Sequence, residues 1–163
     1  MEIMDACEFY RRYGRPAIEL DFRWQHLSVA TPIDITELSS REEIECLLTA
    51  WYTPQEDERT DFLDGDKHNI TLGEVVSEPN LVRECHRNKI EYWTGELGRG
   101  TATLSIPAYA LPDSKYLLLD GNHRAVAALQ LGLYPLVLHV VKGVVSRHVL
   151  ADLWRWDGGG PYV

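Results

Sequence analysis

The stretch Leu117-Leu118-Leu119-Asp120-Gly121-Asn122-His123-Arg124, running straight into Ala125-Val126-Ala127-Ala128-Leu129, decides how the rest of the chain is read. Three apolar residues stop at Asp-Gly, and a helical pattern starts at once with a histidine and an arginine in its first turn. The first N–H groups of a helix have no partner within it, and its dipole leaves partial positive charge there, so anions settle at that end. His123 and Arg124 add two side-chain donors, and an arginine fork grips a phosphate or carboxylate through two parallel hydrogen bonds. The same residues also fit an ordinary Asp-Gly turn followed by a solvated arginine. Two neighbours favour the anion site. Asp120 and Asn122 can each bond local backbone N–H groups and tighten the loop. The helix behind them is apolar nearly all round, which predicts a buried helix with a rigidly held N-terminus.

The run Asp120-Gly121-Asn122-His123-Arg124, with Ala127-Ala128-Leu129 behind it and Leu131-Gly132 before a β-rich segment, resembles the signature of the ParB/sulfiredoxin-like superfamily. The resemblance spans 101–142 and is specific over the ten residues of the motif. It implies an α+β fold, a small mixed sheet with surrounding helices, in a single domain over 1–163. It also implies that Gly121, Asn122, His123 and Arg124 bind the phosphates of a nucleotide (ATP, ADP or CTP), with Mg²⁺ as a companion ion. The activity implied is phosphoryl transfer or nucleotide hydrolysis, with His123, Arg124 and Asp120 as the catalytic set. His123 and Arg124 would neutralise charge on the transferred group, and Asp120 would orient His123 or hold the metal.

Departures narrow what carries over. Sulfiredoxins have a reactive cysteine where this chain has Asn122, so their redox chemistry is not implied. The partition-type CTP-binding members use a second motif built on Glu-Asn, and no such pair occurs here. Serine kinases of the same fold use an early glutamate; Glu19 and Asp21 lie in that region without a local motif to carry the role.

Composition points to further function classes. Net charge is −9, with a pI near 5.1. Asp34, Glu37, Glu42, Glu43, Glu45, Glu56, Asp57, Glu58, Asp61, Asp64 and Asp66 crowd the segment 34–66, against Arg41 and Arg59 alone. Such a segment is either a solvated surface or a docking face for a basic protein partner. The second possibility gives an alternative function, a non-catalytic immunity or inhibitor protein. Nucleic acid is disfavoured as a partner, because its binding draws on a basic face. A nuclease therefore ranks third and would need a patch assembled from Arg11, Arg12, Arg15 and Arg23. Asp61, Asp64 and Asp66 do not have the alternate-residue spacing of a calcium loop, and no metal site is expected there.

Cys7, Cys46 and Cys85 are widely spaced and odd in number, which suggests buried or idle thiols in a reducing compartment. The first residues carry acids where a signal peptide carries lysines, and no apolar run approaches the roughly 18 residues of a membrane span. These features predict a cytoplasmic chain with no membrane partner.

Along the chain, 2–12 reads as a short helix, and 17–20 and 24–30 read as strands. Ser40-Arg41-Glu42-Glu43 is a capping box opening a helix through Ile44, Leu47, Leu48 and Trp51, closed by Pro54. An acidic loop follows over about 54–70. A helix over 81–93 is expected to bury Cys85, and Gly95, Gly98 and Gly100 read as a loop after it. Strands at 101–108 and 115–119 pair around a turn. Gly132 caps the anion-site helix, and 136–141 is a strand. A last helix over 146–156 and a frayed tail at 157–163 complete the reading.

Overall fold

In the computed structural model, which describes residues 3–13, 30–53, 68–100, 103–111 and 114–142, the apolar runs assemble one mixed sheet of seven strands. In chain order these are β1 (Ile3–Met4), β2 (Ile33–Leu38), β3 (Leu48–Thr53), β4 (His68–Thr71), β5 (Leu104–Ala110), β6 (Tyr116–Leu118) and β7 (Leu136–Val141). Across the sheet they lie in the order β1-β2-β7-β5-β6-β3-β4. β7 is parallel to β5 and antiparallel to β2, while β6 is antiparallel to β5 and parallel to β3. The helices are α1 (Ala6–Tyr13), α2 (Arg41–Glu45), α3 (Leu72–Ser77), α4 (Glu84–Leu97) and α5 (Asn122–Leu131), with a 3₁₀ turn at Pro79–Leu81. The α+β class expected from the sequence is the class observed.

Successive strand residues point to opposite faces, and each face gathers its own core. On one face Leu136, Leu138 and Val140 of β7 and Ile106 and Ala108 of β5 pack against Val126 and Leu129 of α5, with Val75 of α3 and Ile90 of α4 closing the layer. On the other, Ile33, Tyr109, Leu117, Leu119 and Val141 lie beneath Phe9 and Tyr13 of α1. Three cross-strand rows run over β2, β7 and β5 on this second face: Ile33–Val141–Tyr109, then Ile35–His139–Pro107, then Glu37–Val137–Ser105. The eight-residue α1 packs on the first row, its Tyr13 reaches His139 in the second, and the third row carries Glu37 and Ser105 at its ends.

Several sequence expectations hold. β5 and β6 form an antiparallel pair, and α5 is buried along most of its length. Gly132 caps α5 in the left-handed region at φ +67°, and the Ser40–Glu43 capping box is formed. Others are corrected. α2 stops at Glu45, and Leu48 and Trp51 belong to strand β3; the two face opposite cores, so β3 shows no apolar–polar alternation to set against the helical spacing, and pairing with β4 and β6 decides. The segment 3–4 is a strand before α1. α4 begins at Glu84 and takes Gly95 inside, with Gly98 as its cap, so the three glycines do not form a loop. Cys85 is exposed rather than buried, as are Cys7 and Cys46. His68 and Asn69 lie in β4 instead of the acidic loop. Of the strand expected over 24–30 only Ala30 is described, in a turn; the strand at 17–20, the acidic run 54–67, the last helix, the tail, and Arg15, Glu19, Asp21 and Arg23 lie outside the described residues.

Candidate functional site

The start of α5 is fixed by what precedes it. Leu117, Leu118 and Leu119 are fully buried, and the Leu119 N–H donates to the Pro107 carbonyl at 2.9 Å. The chain then turns at Gly121, whose φ of +73° lies in the left-handed region. A Cβ there would sit 3.0 Å from Nη2 of Arg124 and 3.4 Å from the Ile106 side chain. Glycine is therefore required for the turn and for the close approach of the arginine. Asn122 is fully buried, and its Oδ1 accepts a hydrogen bond from the Ala50 N–H of β3 at 3.0 Å. It ties the helix to the sheet.

Neighbouring helical residues point about 100° apart, and here that angle separates two environments. His123 turns inward toward α4, where its Nε2 lies 2.9 Å from Nδ1 of His86. The two imidazoles stack with centroids 5.2 Å apart, and the Trp51 ring lies 4.9 Å from His86 and 5.1 Å from His123. Burial, then His86, Lys89 and Arg124, pull the His123 pKa down to about 4. The ring is neutral at pH 7 and brings no positive charge to a phosphate. The Trp51 indole N–H, also buried, makes no hydrogen bond among the described residues.

Arg124 turns the other way. Its guanidinium lies 5.7 Å from the centre of the Trp93 ring and 3.7 Å from Oδ2 of Asp120. Both side chains line a cavity of 410 Å³ together with Arg12 and Tyr13 of α1 and with Thr103, Leu104 and Ser105 at the start of β5. The Tyr13 hydroxyl shares a 2.5 Å hydrogen bond with Nδ1 of His139, and burial pushes its pKa up to about 12. It remains a neutral phenol through the physiological range. Two guanidiniums, three hydroxyl-bearing residues and one carboxylate thus border one space. Among the described residues Arg12 makes no ion pair, and the long Arg124–Asp120 separation leaves that guanidinium with hydrogen-bonding capacity in reserve.

Of the residues predicted from sequence, Asp120 and Arg124 meet at this cavity, Gly121 permits their geometry, and Asn122 and His123 are committed to the opposite side of α5. Arg12, Tyr13, Thr103 and Ser105 were not anticipated as partners of the motif. The available signal was the Arg11-Arg12-Tyr13 ending of a short helix, read only as part of a basic patch. In the described part of the acidic segment, 34–53, several carboxylates already have partners. Asp34 pairs with Lys142 at 2.6 Å, Glu45 pairs with Arg41, and Glu43 closes the capping box. Among the described residues no helix is long and apolar enough to cross a membrane. Set against protein-family models, curated proteins and solved structures, the chain matches none.

Proposed function

We propose that this is a nucleotide- or phosphate-binding protein of ParB/sulfiredoxin-like type, gripping phosphate oxygens in the cavity between α1 and α5. One observation carries the reading: Arg12 and Arg124, distant in the chain, border the same 410 Å³ space beside the start of α5. In a chain of net charge −9, long-range steering works against anions, so affinity has to come from a local, partly desolvated pair of forks. Arg12 takes the place of His123 as the second cation. His123 becomes a positioning residue that holds α5 against α4. Tyr13, Thr103 and Ser105 supply hydroxyl donors for remaining oxygens.

The reaction class this set supports is phosphoryl transfer or nucleotide hydrolysis. Arg12 and Arg124 neutralise charge that spreads over the phosphoryl oxygens in the transition state. Asp120 is the carboxylate suited to hold Mg²⁺ or to orient an attacking hydroxyl. A thermal-shift panel of ATP, ADP, CTP, GTP and free phosphate, with and without Mg²⁺, tests the reading. A nucleotide-dependent rise in melting temperature that disappears in Arg12→Ala/Arg124→Ala is expected. A flat panel for the unaltered chain contradicts it.

A further inference from the structure

The open face of the sheet continues past the phosphate cavity. A second cavity of 460 Å³ adjoins the first, with Arg12 and Ser105 lining both. Its charge balance is different, although His139 lines it beside Arg12. The carboxylates Glu8 and Glu37 stand where the first cavity has Arg124, and Met4, Ile35 and Val137 give it apolar walls. Register sets the separation, because Glu37, Val137 and Ser105 form one row across β2, β7 and β5. Glu37 therefore stands two strand spacings, about 10 Å, from Ser105. A span of that order with unlike ends suits a nucleoside carrying a phosphate. Each cavity also falls within the several hundred Å³ usual for small-molecule sites.

Resting on the phosphate reading above, we propose that the second cavity is the base subsite of the same ligand and that the base it takes is guanine. A carboxylate accepts hydrogen bonds and donates none. The pairing edge of guanine offers two adjacent donors, N1–H and the 2-amino group, which one carboxylate accepts as a pair. Adenine and cytosine set an amino donor beside a bare ring nitrogen, whose lone pair would face the second carboxylate oxygen. Uracil flanks its single N–H with carbonyls. Apolar walls accept the faces of any base, so discrimination falls to the polar edge, where a mismatch leaves groups unpaired.

Calorimetric titration of the full chain with GDP, ADP, CDP and pyrophosphate tests this, followed by the same series on Glu8→Gln/Glu37→Gln. Both glutamates are exposed, so the variant should fold, and its circular-dichroism melt verifies that. GDP is expected to bind at least about tenfold more tightly than ADP or CDP, the size of one charge-assisted contact. In the double variant GDP should fall to the level of ADP while pyrophosphate is unchanged. Equal affinity for the three nucleotides overturns the guanine assignment and leaves the phosphate reading standing. Binding of neither pyrophosphate nor any nucleotide overturns both. A GDP preference that survives in the double variant overturns the role given to the carboxylates.

Discussion

The two faces of the sheet treat polar side chains in opposite ways. On the face covered by α3, α4 and α5, Asn122, His123 and Trp51 are buried, and His123 is held neutral beside His86. On the face under α1, burial covers the Ile33–Val141–Tyr109 row and reaches His139 and Pro107 in the next, while Glu37 and Ser105 of the third row border open cavities. Full cover makes polar residues into struts, whereas partial cover leaves them able to meet a ligand. The start of α5 sits where the two regimes join, so adjacent residues of one motif do different work.

Acid should separate the two regimes most strongly. The unfolded His123 takes its proton near pH 6.5 and the folded one only near 4. Between those values the unfolded state binds more protons, so stability is complete above about pH 6.5 and falls as pH drops toward 4. The loss amounts to at most about 3 kcal/mol. Urea denaturation at pH 7.5, 5.5 and 4 measures it, and His123→Phe should flatten the profile. A wild-type profile already flat over this range would mean that the buried side does not hold the ring neutral.

Next in size is the strut itself. Asn122→Ala strands the Ala50 N–H and should cost about 2 kcal/mol in chemical denaturation. Arg124→Ala, at a half-buried position, should stay within about 0.5 kcal/mol. Equal losses would erase the contrast between the faces. On the ligand side the order inverts. Arg124→Ala or Arg12→Ala should weaken nucleotide binding at least about tenfold, because a charge-assisted contact contributes about 1.5–3 kcal/mol. The smallest effect expected is a gain. Asp120→Asn removes a negative charge from the cavity and should tighten pyrophosphate about threefold in Mg²⁺-free buffer, the scale of a partly exposed ion pair. A weakened affinity there would show that Asp120 serves to position Arg124.

Much of the α5 region was legible because its signals are local. Gly121 and Gly132 are demanded by turn geometry, the β5–β6 pair flanks its turn, and the apolar run of α5 can only be buried. Leu48 and Trp51 read as helical because β3 is apolar on both faces, and the pairing that decides comes from β4 and β6. His123 looked like a cation for the same reason that Arg12 went unnoticed as a partner of the motif. Charge state and convergence depend on residues far away in the chain, His86 for the first and the α1 packing of Phe9 and Tyr13 for the second.

The most direct test of the central claim is calorimetric titration of pyrophosphate into the wild-type chain and into Arg12→Ala/Arg124→Ala, with melting curves of both proteins alongside. Saturable binding to the wild type, lost in the double variant at an unchanged melting temperature, is the predicted result. Equal binding by the two proteins, or no binding by the wild type, would contradict it.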